Sequence, residues 1–225
     1  MKYYLLFISA ALMSLSVDAS YKDLQLVTDE RPPFEFKGAN GKPEGVAVDG
    51  VRCALSKLDV KYSIKIMPWA RAQAQVKAGK AHGFFAASRN DTRDAYAILS
   101  DVVVEQYWNW YLAPSITSDP SSDEFKSQVK VSSWLGSNSL KWLTKKGYKL
   151  GKSSKSNDEL VKRLMSGRLD GVYASDVVFE KAVSSLGKDM SKLRVVEGVY
   201  KPMGIYFSKD YLNNNAGFMD SFNKA

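Results

Sequence analysis

This chain of 225 residues has one cysteine and one histidine, the two side chains most used in covalent and metal chemistry. A lone Cys53 excludes an intramolecular disulfide, whatever the redox state of the compartment. With His82 as the sole imidazole, neither a zinc site nor a nucleophile–histidine pair has a full complement of residues. A phosphate-cradling loop is absent too, since residues 45–50 lack both the glycine spacing and the Lys-Ser/Thr ending. Long apolar runs are confined to the first residues, and nothing later is apolar enough to span a bilayer. Together these absences favour binding over catalysis, with no metal and no cofactor expected. Asp and Glu are plentiful, so a catalytic carboxylate pair stays open in principle.

The opening residues read as an export signal. Lys2 supplies a positive start, residues 3–15 an apolar stretch, and Val17-Asp18-Ala19 a small-residue cleavage pattern. The apolar run is too short for an ordinary membrane span. Cleavage leaves Ser20 at the front, and no cysteine follows it to take a lipid anchor. The mature chain is therefore expected in the periplasm, folded by hydrophobic burial alone.

Removing that segment takes away one charge of each sign, Lys2 and Asp18, and keeps the balance at +8. So basic a chain raises the question of nucleic acid, which export argues against. Acidic ligands or an anionic membrane surface suit it better. The densest basic stretch, residues 141–155, reads as a solvated face. Cys53 falls on the apolar side of a helical pattern with Val51, Ala54, Leu55 and Leu58, and reads as a small core residue.

The most informative positive feature is an echo. Gly79-Lys80-Ala81-His82-Gly83-Phe84-Phe85-Ala86 is repeated in character by Gly167-Arg168-Leu169-Asp170-Gly171-Val172-Tyr173-Ala174. In both, a helical run ends at glycine, a basic residue follows, and a second glycine opens an apolar strand. Two such units suggest two similar α/β lobes. The rest of the chain fits. Strands are read at 24–28, 62–67, 83–86 and 108–113, with helices at 46–58 and 69–78 between them. After a Ser/Pro/Asp-rich passage at 114–122 the pattern restarts, with strands at 129–132, 148–150, 171–173 and 193–196 and helices at 139–146, 158–165 and 177–186. Residues 199–207 read as a return crossing and 216–225 as a last helix. The expected fold is α/β, with two Rossmann-like lobes around a central cleft. Lobe 1 is residues 20–113 plus 200–225, lobe 2 is residues 114–199, and the crossings fall near 112–116 and 196–203.

In open α/β sheets ligands bind at the carboxyl ends of strands. Four turns qualify here: Asp29-Glu30-Arg31, Ser88 to Arg93, Gly136 to Ser139, and Ser175-Asp176. The second is the most pointed, because helix-start amides, a serine hydroxyl and a guanidinium together suit a carboxylate. A surface ion pair between Arg93 and Asp91 or Asp94 is the plain alternative. Trp69, Trp108 and Trp110 supply apolar walls or core.

At these residues the chain resembles the bacterial extracellular solute-binding proteins of the polar-amino-acid type, partners of ABC importers. Pro32-Pro33-Phe34 followed by Gly45 and Asp49 looks like that family's opening loop and first helix, and Trp69-Ala70-Arg71 before Gly79 like its second. Ser88 through Arg93, with Ala97-Ile98-Leu99-Ser100 after it, is similar to its serine, T-x-x-R, F-S-x-P segment. Gly136-Ser137-Asn138-Ser139 resembles the glycine–hydroxyl turn of its second lobe, and the match spans residues 23–224. The resemblance implies the type II periplasmic-binding fold. It also implies a monomer that closes on a small-molecule ligand and delivers it to an inner-membrane permease. Arg93 would hold the ligand carboxylate, helped by Ser88 and by Asn138 or Ser139. The sequence departs from the family at three positions and at its end, since the family's last helix and tail run on beyond the last residue here. Arg31 replaces the stacking aromatic, Asn90 stands where threonine is usual, and Ser175 aligns with the ammonium-binding carboxylate, with Asp176 one place late.

The leading expectation is thus a periplasmic protein capturing an amino acid or related carboxylate for an importer. A sensing module for a membrane receptor, or a dehydratase-like enzyme on the same fold, are the other classes.

Overall fold

The computed structural model describes residues 21–225; the export segment read at residues 1–19, and Ser20 after it, lie outside the described residues. The chain first lays down β1 (Leu24–Thr28), a small hairpin of β2 (Phe36–Lys37) and β3 (Pro43–Glu44), α1 (Val46–Lys57) and β4 (Tyr62–Ile66). Next come α2 (Trp69–Lys77), β5 (Gly83–Ala87), the short α3 (Asp91–Asp94) and β6 (Ala97–Leu99). A second group follows: β7 (Tyr107–Leu112), α4 (Asp123–Gln128), β8 (Val131–Ser132), α5 (Asn138–Lys145), α6 (Asn157–Met165), β9 (Gly171–Ser175), α7 (Asp176–Ser185) and β10 (Arg194–Tyr200). The chain then returns through β11 (Gly204–Ser208), α8 (Lys209–Asn213) and α9 (Phe218–Lys224).

Two sheets result, in the order β4-β1-β5-β11-β6 and β10-β7-β9-β8. In the first, β4, β1 and β5 are parallel and β11 runs antiparallel between β5 and β6. In the second, β8 and β9 are parallel while β7 opposes both β9 and β10. Each sheet is covered on both faces, as the period-2 alternation of its strands requires. Phe85 packs with Leu24, Leu26 and α1, whereas its neighbour Phe84 packs with Val27, Ala72 and Tyr206 on the other side. Likewise Tyr111 joins Val172 and Phe179, while Trp110 and Leu112 join Phe125 and Tyr173. Burying one such side chain contributes about 1.5–3 kcal/mol, so both lobes hold without covalent staples.

The echoed segments are one structural unit used twice. Gly79 and Gly167 end α2 and α6 at φ +67° and +70°, a left-handed conformation that glycine adopts without penalty. His82 exchanges hydrogen bonds with Gln25 at the start of β1: its N–H donates to Gln25 O at 2.8 Å, and its Nδ1 accepts from Gln25 N at 3.0 Å. Asp170 makes the same exchange with Lys130 at the start of β8, at 2.9 Å and 2.8 Å. His82 is therefore a sheet-pairing residue.

The structure differs from the sequence reading at several points. Strand 108–113, expected in lobe 1, lies at the heart of the second sheet as β7. The chain leaves the first sheet at residues 100–106 and returns at 201–203, and the two crossings pair with each other through Val104 and Met203. The Ser/Pro/Asp-rich stretch is a surface loop running into α4, whose start Ser122 caps by accepting from Phe125 N. Residues 148–150 form a single bridge, Val131 to Leu150, instead of a strand. Cys53 is exposed, because α1 buries Ala47, Val48, Val51 and Leu55 and position 53 lies about 200° around the helix from Val51. The lysines of residues 141–155 are exposed.

Candidate functional site

The carboxyl ends of β1, β5, β8 and β9 open into one cleft between the lobes, with a free volume of about 60 Å³. The turn after β5 is built to present Arg93. Asn90 accepts from Thr92 N and so caps α3, while Asn90 N donates to the Tyr206 hydroxyl at 2.9 Å. That hydroxyl donates in turn to Asp94 at 2.7 Å, which fastens the turn to the sheet and occupies Asp94.

Arg93 is 2 % exposed. Its Nε donates to Gln73 Oε1 at 3.0 Å and its Nη1 to Ser88 O at 2.8 Å. The guanidinium lies 5.1 Å from the ring centre of Trp69 and 5.8 Å from that of Phe84. Among the described residues no carboxylate comes within 4.0 Å of it, so the surface ion pair with Asp91 or Asp94 is not formed. Burial brings its pKa down to about 10, which still leaves it cationic at neutral pH. Its Nη2 has no hydrogen-bond partner among the described residues and stays free for a ligand oxygen.

Arg31 is occupied differently. It donates to Glu35 Oε1 from Nε at 3.0 Å and Nη2 at 2.9 Å, and to Ala86 O at 2.6 Å. Burial would weaken its charge, but Glu35 and Asp29 outweigh that and raise its pKa. Glu35, fully buried, is pushed well above the ordinary carboxylate range by burial and by Asp29, against the pull of Arg31. From the second lobe come Ser133, Trp134, Ser137, Asn138, Ser139 and Ser175, all uncharged. Ser133 donates to Tyr173 O at 2.7 Å, sits 2.6 Å from Ser139 Oγ and so forms a hydroxyl cluster at the start of α5.

Comparison with known proteins bears on this arrangement. The sequence profile of bacterial extracellular solute-binding proteins, family 3, matches residues 24–167, more than half of the chain. The chain belongs to that family. An ancestral arginine-binding protein bound to arginine is similar in structure, with 25 % identity, TM-score 0.73 and 91 % of each chain covered. A histidine kinase sensor domain with similarity to periplasmic binding proteins shares the fold at 16 % identity and TM-score 0.77, covering 91 % of this chain and 89 % of that one. The arginine-, lysine-, histidine-binding protein ArtJ of Geobacillus stearothermophilus does so at 18 % identity and TM-score 0.72, covering 90 % and 87 %. Among curated proteins nothing matches. The architecture is the type II periplasmic-binding fold.

For a family 3 protein, most of the expected cleft residues converge. Asp29, Arg31, Trp69, Ser88, Arg93, Asn138, Ser139 and Ser175 all line the cleft. Glu30 is exposed and points elsewhere, since β1 ends at Thr28 and the turn beyond it brings Asp29 and Arg31 inward. Asp176 is drawn into the first turn of α7 and accepts from Ser175 Oγ at 3.4 Å, outside the cleft lining. Ser88 and Asn138, expected on the ligand, are bonded to each other across the cleft at 2.8 Å. Trp108 joins the cleft, whereas Trp110 is core, stacked on Tyr173 with ring centres 4.4 Å apart.

The sequence reading missed Trp134, Ser133 and Gln106. Trp134 and Ser133 directly follow β8, so the strand-end rule could have found them. Gln106 belongs to the first crossing, misplaced in the sequence, and no local pattern marks it.

Proposed function

We propose that this protein captures a small carboxylate-bearing solute, an amino acid or a related acid, in the periplasm and delivers it to an inner-membrane ABC importer. One observation carries the reading: a buried guanidinium that has no carboxylate partner among the described residues and keeps a free Nη2 at the cleft, where the two lobes meet. A charge in that state waits for an anion, and a charge-assisted bond to a carboxylate is among the stronger contacts a small ligand can make. Membership of the extracellular solute-binding family agrees with it, as do the amino-acid ligands named for the arginine-binding relatives. Export by the segment at residues 1–19, action as a monomer and the absence of catalysis complete the proposal.

A thermal-shift panel of amino acids, hydroxy acids, dicarboxylates and polyamines tests it. At least one carboxylate should raise the melting temperature, and Arg93→Met should abolish the rise. Stabilisation by polyamines alone would sink the reading. Solute sensing for a membrane receptor would use the same cleft, and a histidine kinase sensor domain shares this fold. Adjacent genes separate the two, being either permease and ATPase or kinase and cyclase.

A further inference from the structure

The positive charge of the chain is gathered in one place. Residues 125–157 hold eight lysines and no acidic residue or arginine, a balance of +8 that equals the net charge of the whole protein. Taking those eight from the 32 basic residues leaves 24, which the 24 acidic residues cancel. In the fold this stretch runs through the end of α4, β8, α5 and the loop to α6.

Topology sends most of it to the pole of the second lobe that faces away from the cleft. β8 opens on the cleft at its carboxyl end, through Ser133 and Trp134, so Lys130 stands at the opposite end. Lys149 joins it there, since Val131 bridges to Leu150 and Lys149 N donates to Lys126 O at 2.8 Å. α5 begins at the cleft with Asn138 and travels about 12 Å to Lys145. Only Gly147 and Tyr148 separate Lys146 from Lys149, so that helix ends at the same pole. Arg168 adds to the group from the turn before β9, because β9 is parallel to β8.

These charges are free. Lys145, Lys146, Lys149 and Arg168 are exposed, and Lys130 is half-buried. Of the cations at this pole named so far, only Lys126 has a carboxylate within 4.0 Å among the described residues, Asp123 at 3.0 Å. Asp119 and Asp170, also nearby, accept from Ser121 N and Lys130 N.

The chemistry narrows the partner. A protein interface needs an apolar centre with large anchoring side chains. Across residues 125–157 the exposed large apolar side chains are Leu135, beside the cleft, and Leu150, beside Lys149. One leucine makes no such centre. Lysine also supplies compact point charges, without the fixed fork by which arginine grips a single phosphate or carboxylate. Several of them on an open surface suit a fluid anionic sheet, to which each is attracted without a defined pocket.

We propose that this pole docks the protein on a membrane containing anionic phospholipid, through Lys130, Lys145, Lys146, Lys149 and Arg168, with Leu150 dipping among the headgroups. The cleft, at the other end of β8 and β9, stays open to its solute. Sedimentation of the mature protein with vesicles tests the proposal. Binding is expected to phosphatidylcholine vesicles carrying about 30 mol % phosphatidylglycerol, and not to phosphatidylcholine alone. It should be lost at about 0.5 M salt, where screening acts within about 4 Å. Lys145→Gln, Lys146→Gln and Lys149→Gln combined should weaken partition about 100-fold, at about five-fold per lysine. All three side chains are exposed, so the melting temperature should hold. Lys37→Gln, Lys61→Gln and Lys65→Gln combined remove the same charge from exposed positions of the first lobe and should leave binding nearly intact. Equal loss from the two triple variants, no partition onto the anionic vesicles, or binding that persists in high salt overturns the inference. Retention on bacterial inner-membrane vesicles but not on lipid alone would assign the pole to a membrane protein and overturn it as well. Solute capture stands or falls separately, by the thermal-shift panel.

Discussion

Asn138, at the start of α5 in the second lobe, donates to Ser88 Oγ of the first at 2.8 Å and accepts from Asn90 Nδ2 at 2.5 Å. One side chain thus clasps the turn that carries Arg93 and holds the lobes together over the ligand cleft. Each neutral hydrogen bond of this kind contributes a net of about 0.5–1.5 kcal/mol. Asn138→Ala should shift the free protein toward an open form, seen as a larger radius of gyration in small-angle scattering. Ligand affinity should fall by roughly 10-fold, because closure would have to be driven by the ligand alone. An unchanged scattering profile for the free variant would refute the clasp.

Arg93→Met separates binding from stability. The replacement keeps an apolar stem against Trp69 and removes a charge whose burial, with a pKa down to about 10, costs about 3 kcal/mol. The melting temperature of the free protein should stay the same or rise, while carboxylate affinity falls roughly 30-fold or more. A drop of many degrees in thermal melts would mean that the guanidinium is structural.

Glu35 sets a pH trend. Its folded pKa lies well above the ordinary value of 4.5, so folding favours the protonated form. The associated stability is complete below that ordinary value and is lost as pH rises through the folded one. Melting temperatures taken from about pH 5 to about pH 9 should decline, and Glu35→Gln should flatten the decline. The opposite slope difference would show that Glu35 is an ionised partner of Arg31.

The two echoed glycines should not tolerate alanine equally. A Cβ on Gly83 would lie 2.8 Å from Tyr206 O, a backbone atom of the adjoining strand. On Gly171 the closest atom is Leu112 Cδ2 at 2.6 Å, the tip of a side chain able to turn. Gly83→Ala is expected to cost about 1–3 kcal/mol in denaturant unfolding, and Gly171→Ala less. The reverse order would contradict the packing described.

Much of the fold could be read from residues alone, because both lobes repeat one helix–glycine–strand junction whose alternation and end signals are local. His82 and Asp170 show how far this goes: chemically unlike, they take the same place in the echo and make the same exchange with the neighbouring strand. What could not be read was non-local. Residues 108–113 alternate like a strand of either lobe, and nothing local marks the crossing at 100–106 that precedes them, so the expected crossing near 112–116 put β7 in the wrong sheet. The cleft itself was largely legible, since strand ends present it. Gln106 and Glu35 were not, because their significance lies in buried atoms without partners, which only the folded surroundings define.

The position of β11 has a consequence for how the protein is made. It is the last strand in the chain, yet it lies between β5 and β6, inside the first sheet instead of at its edge. Phe207 of this strand also anchors α9 through Phe218 and Phe222. The first lobe therefore cannot complete its sheet until residues 204–208 have emerged, and until then Phe84 lacks the Tyr206 ring that stacks on it. The second lobe, continuous from β7 to β10, has no such delay. Such long-range closure is slow and leaves apolar strands open to wrong partners, so the first lobe is where a helper during synthesis would act.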